Sequence, residues 1–217
     1  MKPKKIAVIG TGVVGKTLAT GLLAHGYRVV MGSRDAQKLE SIRSEIGHGL
    51  EVGTFAEAAA AGELVVLAVK GTAASAALQL CGADHIAGKV IIDTTNPIAD
   101  APPVNGVLQF FTGPNDSLLE QLQSSFAEAR FVKAFSCVGS PYMVDPNFPG
   151  GRPTMFIGGN DDAAKRVVQQ LLDELGWDTE DMGAAESARA IEPLCQLWCI
   201  PGLREGRWNH AFKLLHM

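Results

Sequence analysis

The sequence predicts an α/β protein with a doubly wound parallel sheet and a small helical extension at its C-terminal end. Three observations carry that prediction. The apolar run Ile6-Ala7-Val8-Ile9 passes directly into a glycine-rich turn and then a helical pattern. Leu64 to Val69 and Val90 to Ile92 are continuous apolar runs, as parallel strands read when both faces are covered. Helical patterns separate the runs, the alternation that builds βαβ units.

The first turn satisfies two phosphate-binding patterns. Gly10, Gly12 and Gly15 form G-x-G-x-x-G, and Gly10 with Gly15-Lys16-Thr17 forms G-x-x-x-x-G-K-T. In both, glycine-loop amides and a helix N-terminus hold an anion. The discriminating position lies about 20 residues on, where a dinucleotide fold ends its second strand beside the adenosine ribose. There the chain reads Met31-Gly32-Ser33-Arg34, with no carboxylate at the strand end to pair with two ribose hydroxyls. Ser33 can donate a hydrogen bond to a 2'-phosphate and Arg34 can pair with it bidentately. Lys38 follows one helical turn later with a second positive charge. NADP(H) is therefore the expected cofactor, and 1–183 reads as a Rossmann-type unit. Asp35 also fits a helix cap or a partner for a neighbouring cation. The nucleotide-hydrolase alternative needs Asp93, at the end of Val90-Ile91-Ile92, to hold magnesium, and it gives Ser33 and Arg34 no role.

The remaining elements follow in order. Val13 to His25 is a helix with Val14, Leu18, Leu22 and Leu23 on its apolar stripe; His25, before Gly26, reads as a helix-end dipole partner. A helix from Ala36 to Ile46 precedes a short strand at Glu51-Val52, with His48 in a surface turn. Lys70-Gly71-Thr72 turns the next strand into a helix, and Thr94-Thr95-Asn96-Pro97 forms a polar loop after the following one. Ligands in such sheets lie outside the strands' carboxyl ends, so Ala68 to Lys70 and Thr94 to Pro97 should flank the nicotinamide half of the cofactor. Residues 99–115 read as an irregular loop, in which Phe110 and Phe111 are expected to pack on the adjacent helix rather than cover a ligand. Leu118 to Phe126 is helix and Phe131 to Phe135 strand, opening into small residues from Ser136 to Met143. Thr154 to Ile157 is strand, Asp161 to Leu175 helix, and Trp177 to Met182 extended. Residues 184–217 form the C-terminal helical segment packed on the rest, with helix from Ala184 to about Ile200.

Composition bounds the function. A net charge of -4 offers no basic excess for nucleic acid. No apolar run has the length of a membrane span, and a cytoplasmic protein is expected. The four cysteines show no metal-ligand spacing; Cys195 and Cys199, one helical turn apart, read as packing residues. No metal site and no acid/base catalytic group is assigned.

Taken in order, GTGVVGKTLA, GSR, LAVKG, DTTNP, FVKAFS, FIGGND, EPLCQLW and AFKLL resemble the NADP-dependent oxidoreductases that use the 8-hydroxy-5-deazaflavin coenzyme F420. The same module is similar to the NADPH-binding domain of membrane ferric reductases and akin to that of pyrroline-5-carboxylate reductase. The resemblance implies that Thr11, Gly12, Val13 and Val14 contact the pyrophosphate and that Ser33, Arg34 and Lys38 hold the 2'-phosphate. It places Ala68, Val69, Lys70, Asn96 and Pro97 on the nicotinamide side. Ala134, Ser136 and Val138 should border the space where two rings stack; Ser136 stands where the family often has Asn. The implied reaction is hydride transfer between NADPH and a planar deazaflavin, in a homodimer. A free flavin (FMN or FAD), a quinone or a ferric chelate as acceptor, and a non-catalytic NADPH-binding redox sensor, remain the alternatives.

Overall fold

The computed structural model describes residues 5–47 and 49–217, so His48 lies outside the described residues. Strand β1 (Lys5–Ile9) leads through α1 (Val13–Ala24) to β2 (Arg28–Gly32), then through α2 (Ala36–Ile46) to β3 (Leu50–Gly53). Helix α3 (Phe55–Ala61) carries the chain back to β4 (Leu64–Leu67). Helices α4 (Ala74–Cys81) and α5 (Ala83–Ile86) precede β5 (Val90–Asp93), and α6 (Leu118–Ser125) precedes β6 (Arg130–Lys133). The chain continues as β7 (Thr154–Ile157), α7 (Asp162–Glu174), β8 (Asp178–Asp181), α8 (Ala188–Ile191) and α9 (Pro193–Glu205).

Strands β1 to β6 form one parallel sheet in the order β3-β2-β1-β4-β5-β6. Winding reverses between β1 and β4, which opens a crevice at their carboxyl ends. The unbroken apolar character of the strands has a direct structural reason: alternate residues feed two cores. Ile6 and Val8 of β1 pack into one, and Ala7 and Ile9 into the other, all fully buried. Helix α3, which separates β3 from β4, begins with a reciprocal cap. Thr54 Oγ1 accepts from the Glu57 amide at 3.2 Å, and Glu57 Oε2 accepts from the Thr54 amide at 2.8 Å.

Strands β7 and β8 pair in parallel with each other, and an antiparallel bridge between Lys133 and Gly158 ties them to β6. Two expectations need correction. The strand expected to reach Phe135 ends at Lys133, because Phe135 takes a positive φ of 60°, which turns the chain out of the extended conformation. The C-terminal segment is helical only to Glu205, where Gly206 in the left-handed conformation stops α9. Residues 206–217 instead run back without helix: His210 stacks on Trp198, Trp208 packs against it at a tilt, and Phe212 O accepts from the Thr154 amide at 2.8 Å. Phe111 remains 42% exposed beside Leu118 and Leu122 of α6, so its packing on that helix is partial.

Candidate functional site

A cleft of about 1220 Å³ opens at the reversal point. It exceeds the roughly 300–1,000 Å³ of ordinary small-molecule sites and suits an extended ligand. Its floor is the glycine turn, and the three glycines do different work. Gly10 has φ +118°, and a Cβ there would meet the Ala68 carbonyl oxygen at 2.2 Å. A Cβ on Gly15 would meet the Gly10 carbonyl oxygen at the same distance, so this glycine lets α1 sit on the turn. A Cβ on Gly12 would meet nothing within 4 Å, because that position faces the open cleft. Gly12 is also the N-cap of α1 and supplies no side-chain cap, leaving the helix N-terminus to an anion from outside.

At one end of the cleft the turn after β2 delivers Ser33, Arg34 and Asp35, and the first turn of α2 delivers Lys38. Ser33 is buried, its Oγ accepting from the Asp35 amide at 3.0 Å. Asp35 caps α2, its Oδ1 accepting from the Gln37 amide at 3.0 Å, and its other oxygen lies 4.0 Å from Lys38 Nζ. Both alternatives for Asp35 are thus realised. Arg34 is exposed and has no ion pair among the described residues, so its guanidinium is available to a ligand phosphate.

At the other end the cleft is walled by Ala68, Val69 and Lys70 after β4 and by Thr94, Thr95 and Asn96 after β5. This loop rests on a dry cluster of charges. Lys133 Nζ lies 2.6 Å from Asp93 Oδ2 and 2.8 Å from Glu192 Oε1, and it donates to Thr95 O at 2.8 Å. All three charged side chains are at most 1% exposed. Burial alone would depress the Lys133 ammonium; the Asp93 and Glu192 carboxylates outweigh it and hold the pKa above the ordinary lysine value. Two carboxylates for one cation leave a surplus negative charge. The N-terminus of α6 answers it: the Leu118 and Leu119 amides each donate to Glu192 at 3.0 Å. Asp93 Oδ1 accepts from both the amide and the hydroxyl of Thr95, at 2.9 and 2.6 Å.

The cleft brings together Gly10, Thr11, Gly12, Val13, Val14, Ser33, Arg34, Lys38, Ala68, Val69, Lys70 and Asn96. Gly15, Pro97, Ala134, Ser136 and Val138 are all buried and do not line it. Ser136 stands directly behind the wall, its carbonyl accepting from Asn96 Nδ2 at 2.8 Å. The hydrolase alternative does not fit this geometry. Asp93 is fully buried and held by Lys133, and Lys16 reaches away to an ion pair with Glu45. His25 closes α1, and its ring pairs with Asp145 at 3.0 Å. Among the described residues no group of three or more His, Cys, Asp or Glu converges as a metal site, and no helix is long and apolar enough to cross a membrane. Cys195 is buried and Cys199 half-buried, both free thiols; burial pushes the neighbouring Cys137 thiol up to about 12.

The sequence model of the family described as NADP oxidoreductase, coenzyme F420-dependent, matches residues 5–97. The chain is 30% identical to the F420-dependent NADP reductase of Methanothermobacter marburgensis over 228 residues, covering 98% of this chain and 99% of that one. The chain belongs to the coenzyme F420-dependent NADP oxidoreductase family. A crystal structure titled as a putative F420-dependent NADP-reductase from Arthrobacter sp. FB24 matches with a TM-score of 0.91 at 36% identity, covering 99% of this chain and all of the other. Metalloreductase STEAP3 of Rattus norvegicus is 30% identical over 203 residues, which make up 92% of this chain but only 38% of that protein.

In this NADP-dependent oxidoreductase, three residues that shape the site lie within FVKAFS, EPLCQLW and LAVKG, yet sequence reasoning assigns them no role in it. Lys133 and Glu192 lie in segments that read as ordinary strand and helix. A lysine within the apolar run Phe131-Val132-Lys133-Ala134-Phe135 is nevertheless a signal, since a charge in a doubly covered strand needs a partner. The third is Gly71, where a Cβ would meet Asn96 O at 1.9 Å; only glycine lets the loops after β4 and β5 close on each other.

Proposed function

We propose that this protein transfers a hydride between NADPH and a planar deazaflavin acceptor of the F420 type. The observation that carries the reading is the cleft itself, whose one end offers an unpaired Arg34 with Ser33 and Lys38 and whose other end offers a closed wall of backbone and small side chains. Bound NADPH supplies the hydride. The chain's own part is placement: α1 and the turn from Gly10 to Val14 hold the pyrophosphate, and Ser33, Arg34 and Lys38 hold the 2'-phosphate. Ala68 to Lys70 and Thr94 to Asn96 take the nicotinamide, with Pro97, Ala134, Ser136 and Val138 as the buried layer behind it. No side chain has to move a proton in this scheme, and the work is orientation and water exclusion. The likeness to a metalloreductase supports a second reading, in which the acceptor is not a deazaflavin.

Single-turnover oxidation of NADPH, offered F420 and FMN in parallel with NADH as control donor, tests both readings. Fast, NADPH-selective reduction of F420 supports the proposal. Reduction of FMN alone replaces it with the flavin reading. NADPH binding without reduction of either leaves another acceptor, a quinone or a ferric chelate, or the sensor role. The proposal keeps 1–183 as the dinucleotide unit with 184–217 packed on it, and a homodimer, which sedimentation velocity checks.

A further inference from the structure

Beside the cofactor cleft lies a second hollow of about 440 Å³, to which the placement of NADPH assigns nothing. It falls within the roughly 300–1,000 Å³ of small-molecule sites. Thr72 and Ser75, at the start of α4, form one bank, and Leu118 and Leu122 of α6 form the other. Phe111 completes the lining. Its ring is 42% exposed, yet the backbone that carries it is well tied. The Phe111 amide donates to Pro97 O at 2.9 Å, and Ile98 pairs with Phe110 in an antiparallel bridge. A large aromatic held in place beside two leucines, and only half covered by the chain, offers a flat apolar surface to a ligand.

The two cavities meet. Gly71, Ala99 and Asp100 line both, so the sill between them is mostly glycine and alanine. Lys70, on the cleft side, lies 3.8 Å from Asp100; both side chains are exposed, and such a pair is weak enough to yield to a ligand. Charge narrows the choice of occupant. Asp100 is the one charged residue lining the groove, which disfavours a phosphate or a carboxylate there. The hydroxyls of Thr72 and Ser75 can each donate or accept a hydrogen bond. A flat ring with polar groups on its edge matches this lining: its faces suit Phe111 and the leucines, and its edge suits the hydroxyls. Ala134, Ser136 and Val138, where the resemblance places the second ring, are buried and offer it no opening.

We infer that the groove between α4 and α6 seats the planar ring of the second substrate, with Phe111 as its stacking surface and Gly71 and Ala99 as the sill over which it meets the nicotinamide. The inference rests on the proposed hydride transfer from NADPH in the cleft and adds where the acceptor sits.

The test measures binding of F420 to the protein saturated with NADP+, which carries no hydride, by isothermal titration calorimetry. Ser75→Trp fills the groove from an exposed position, and Phe111→Ala removes the stacking surface. Each should weaken F420 about tenfold or more and leave the affinity for NADP+ unchanged, which also shows that the variant is folded. F420 that binds Ser75→Trp as tightly as the native protein overturns the inference, and the hydride-transfer reading stands. If Ser75→Trp fails to bind NADP+, Phe111→Ala decides in its place by the same criterion. F420 that does not bind the native protein at all overturns the proposed acceptor, and the inference falls with it.

Discussion

The two ends of the cleft are built on opposite principles. At the Arg34 end the two cations, Arg34 and Lys38, are exposed and close together in sequence, on a turn held by little more than Ser33 and the cap of α2. At the Asn96 end the loop is fixed by partners from 38 to 40 residues away, Lys133 and Ser136, over a charge cluster that Glu192 completes. The first end can recognise a phosphate through charge alone, because a doubly negative group tolerates a mobile guanidinium. In the proposed placement of NADPH the second holds a flat ring at reacting distance, where an error of an ångström is costly. Rigidity is concentrated where geometry matters, and charge where it does not.

The sharpest way to break this contrast is Lys133→Met. Removing the cation leaves two carboxylates buried against each other, and the protein should lose about 3–5 kcal/mol in urea unfolding. A loss under about 1 kcal/mol would mean that the cluster does not hold the loop. Next in size, Arg34→Ala should weaken NADPH by roughly 1.5–3 kcal/mol in equilibrium titration, spare NADH, and leave the unfolding midpoint unmoved. Equal weakening of both cofactors would remove the phosphate-reading role from this end. Gly12→Ala sharpens the picture from the middle of the cleft. A Cβ there meets no protein atom, so stability should stay within about 0.5 kcal/mol while NADPH affinity falls.

The smallest effect is expected from Arg189→Ala. Arg189 forms a forked pair with Glu120, at 3.0 and 3.1 Å from Nε, on the solvent side of the same α6 and α8 region that carries Glu192 inside. The Arg189 hydrogen bonds, with help from Ser117, outweigh partial burial and hold the Glu120 carboxyl below the ordinary carboxylate range. A lowered folded pKa means that the pair's contribution is present at neutral pH, above the unfolded carboxylate pKa, and is lost as pH falls through the lowered value. The slight difference in melting temperature between the native protein and Arg189→Ala should therefore be visible at pH 7 and vanish in acid. A difference that persists in acid would assign it to the packing of the arginine stem.

The Arg34 end was legible in the sequence because its parts are local. Gly10 to Gly15 and Ser33 to Lys38 each span one loop and the helix start after it, and the pairing of Ile9 with Gly32 across β1 and β2 sets them side by side. The sheet was legible for the same reason: continuous apolar runs have one cheap explanation, burial on both faces, and the two cores bear it out. Thr94 to Asn96 followed from the rule that ligands gather at strand ends. What held them did not follow, because an ion pair between Lys133 and Glu192 leaves no trace in spacing. The extended tail after Glu205 was hidden differently. Ala211 to Leu215 has a mixed apolar pattern that suits helix or strand, and the choice is made by the Thr154 amide and the Trp198 face that receive it. Helix α3 had a readable signal, Thr54 and Glu57 at capping-box spacing.

The charge cluster also orders events during synthesis. Every residue lining the cleft lies between Gly10 and Ala101, so the walls of the site leave the ribosome before Lys133 and Glu192 do. Lys133 follows, and Glu192 later still. Domains fold progressively as they emerge, yet the Asn96 loop cannot take its final shape until a lysine and a glutamate made long after it have arrived. A nascent chain thus carries the glycine turn well before it carries a finished seat for the proposed ring, and only a chain grown past Glu192 joins the two.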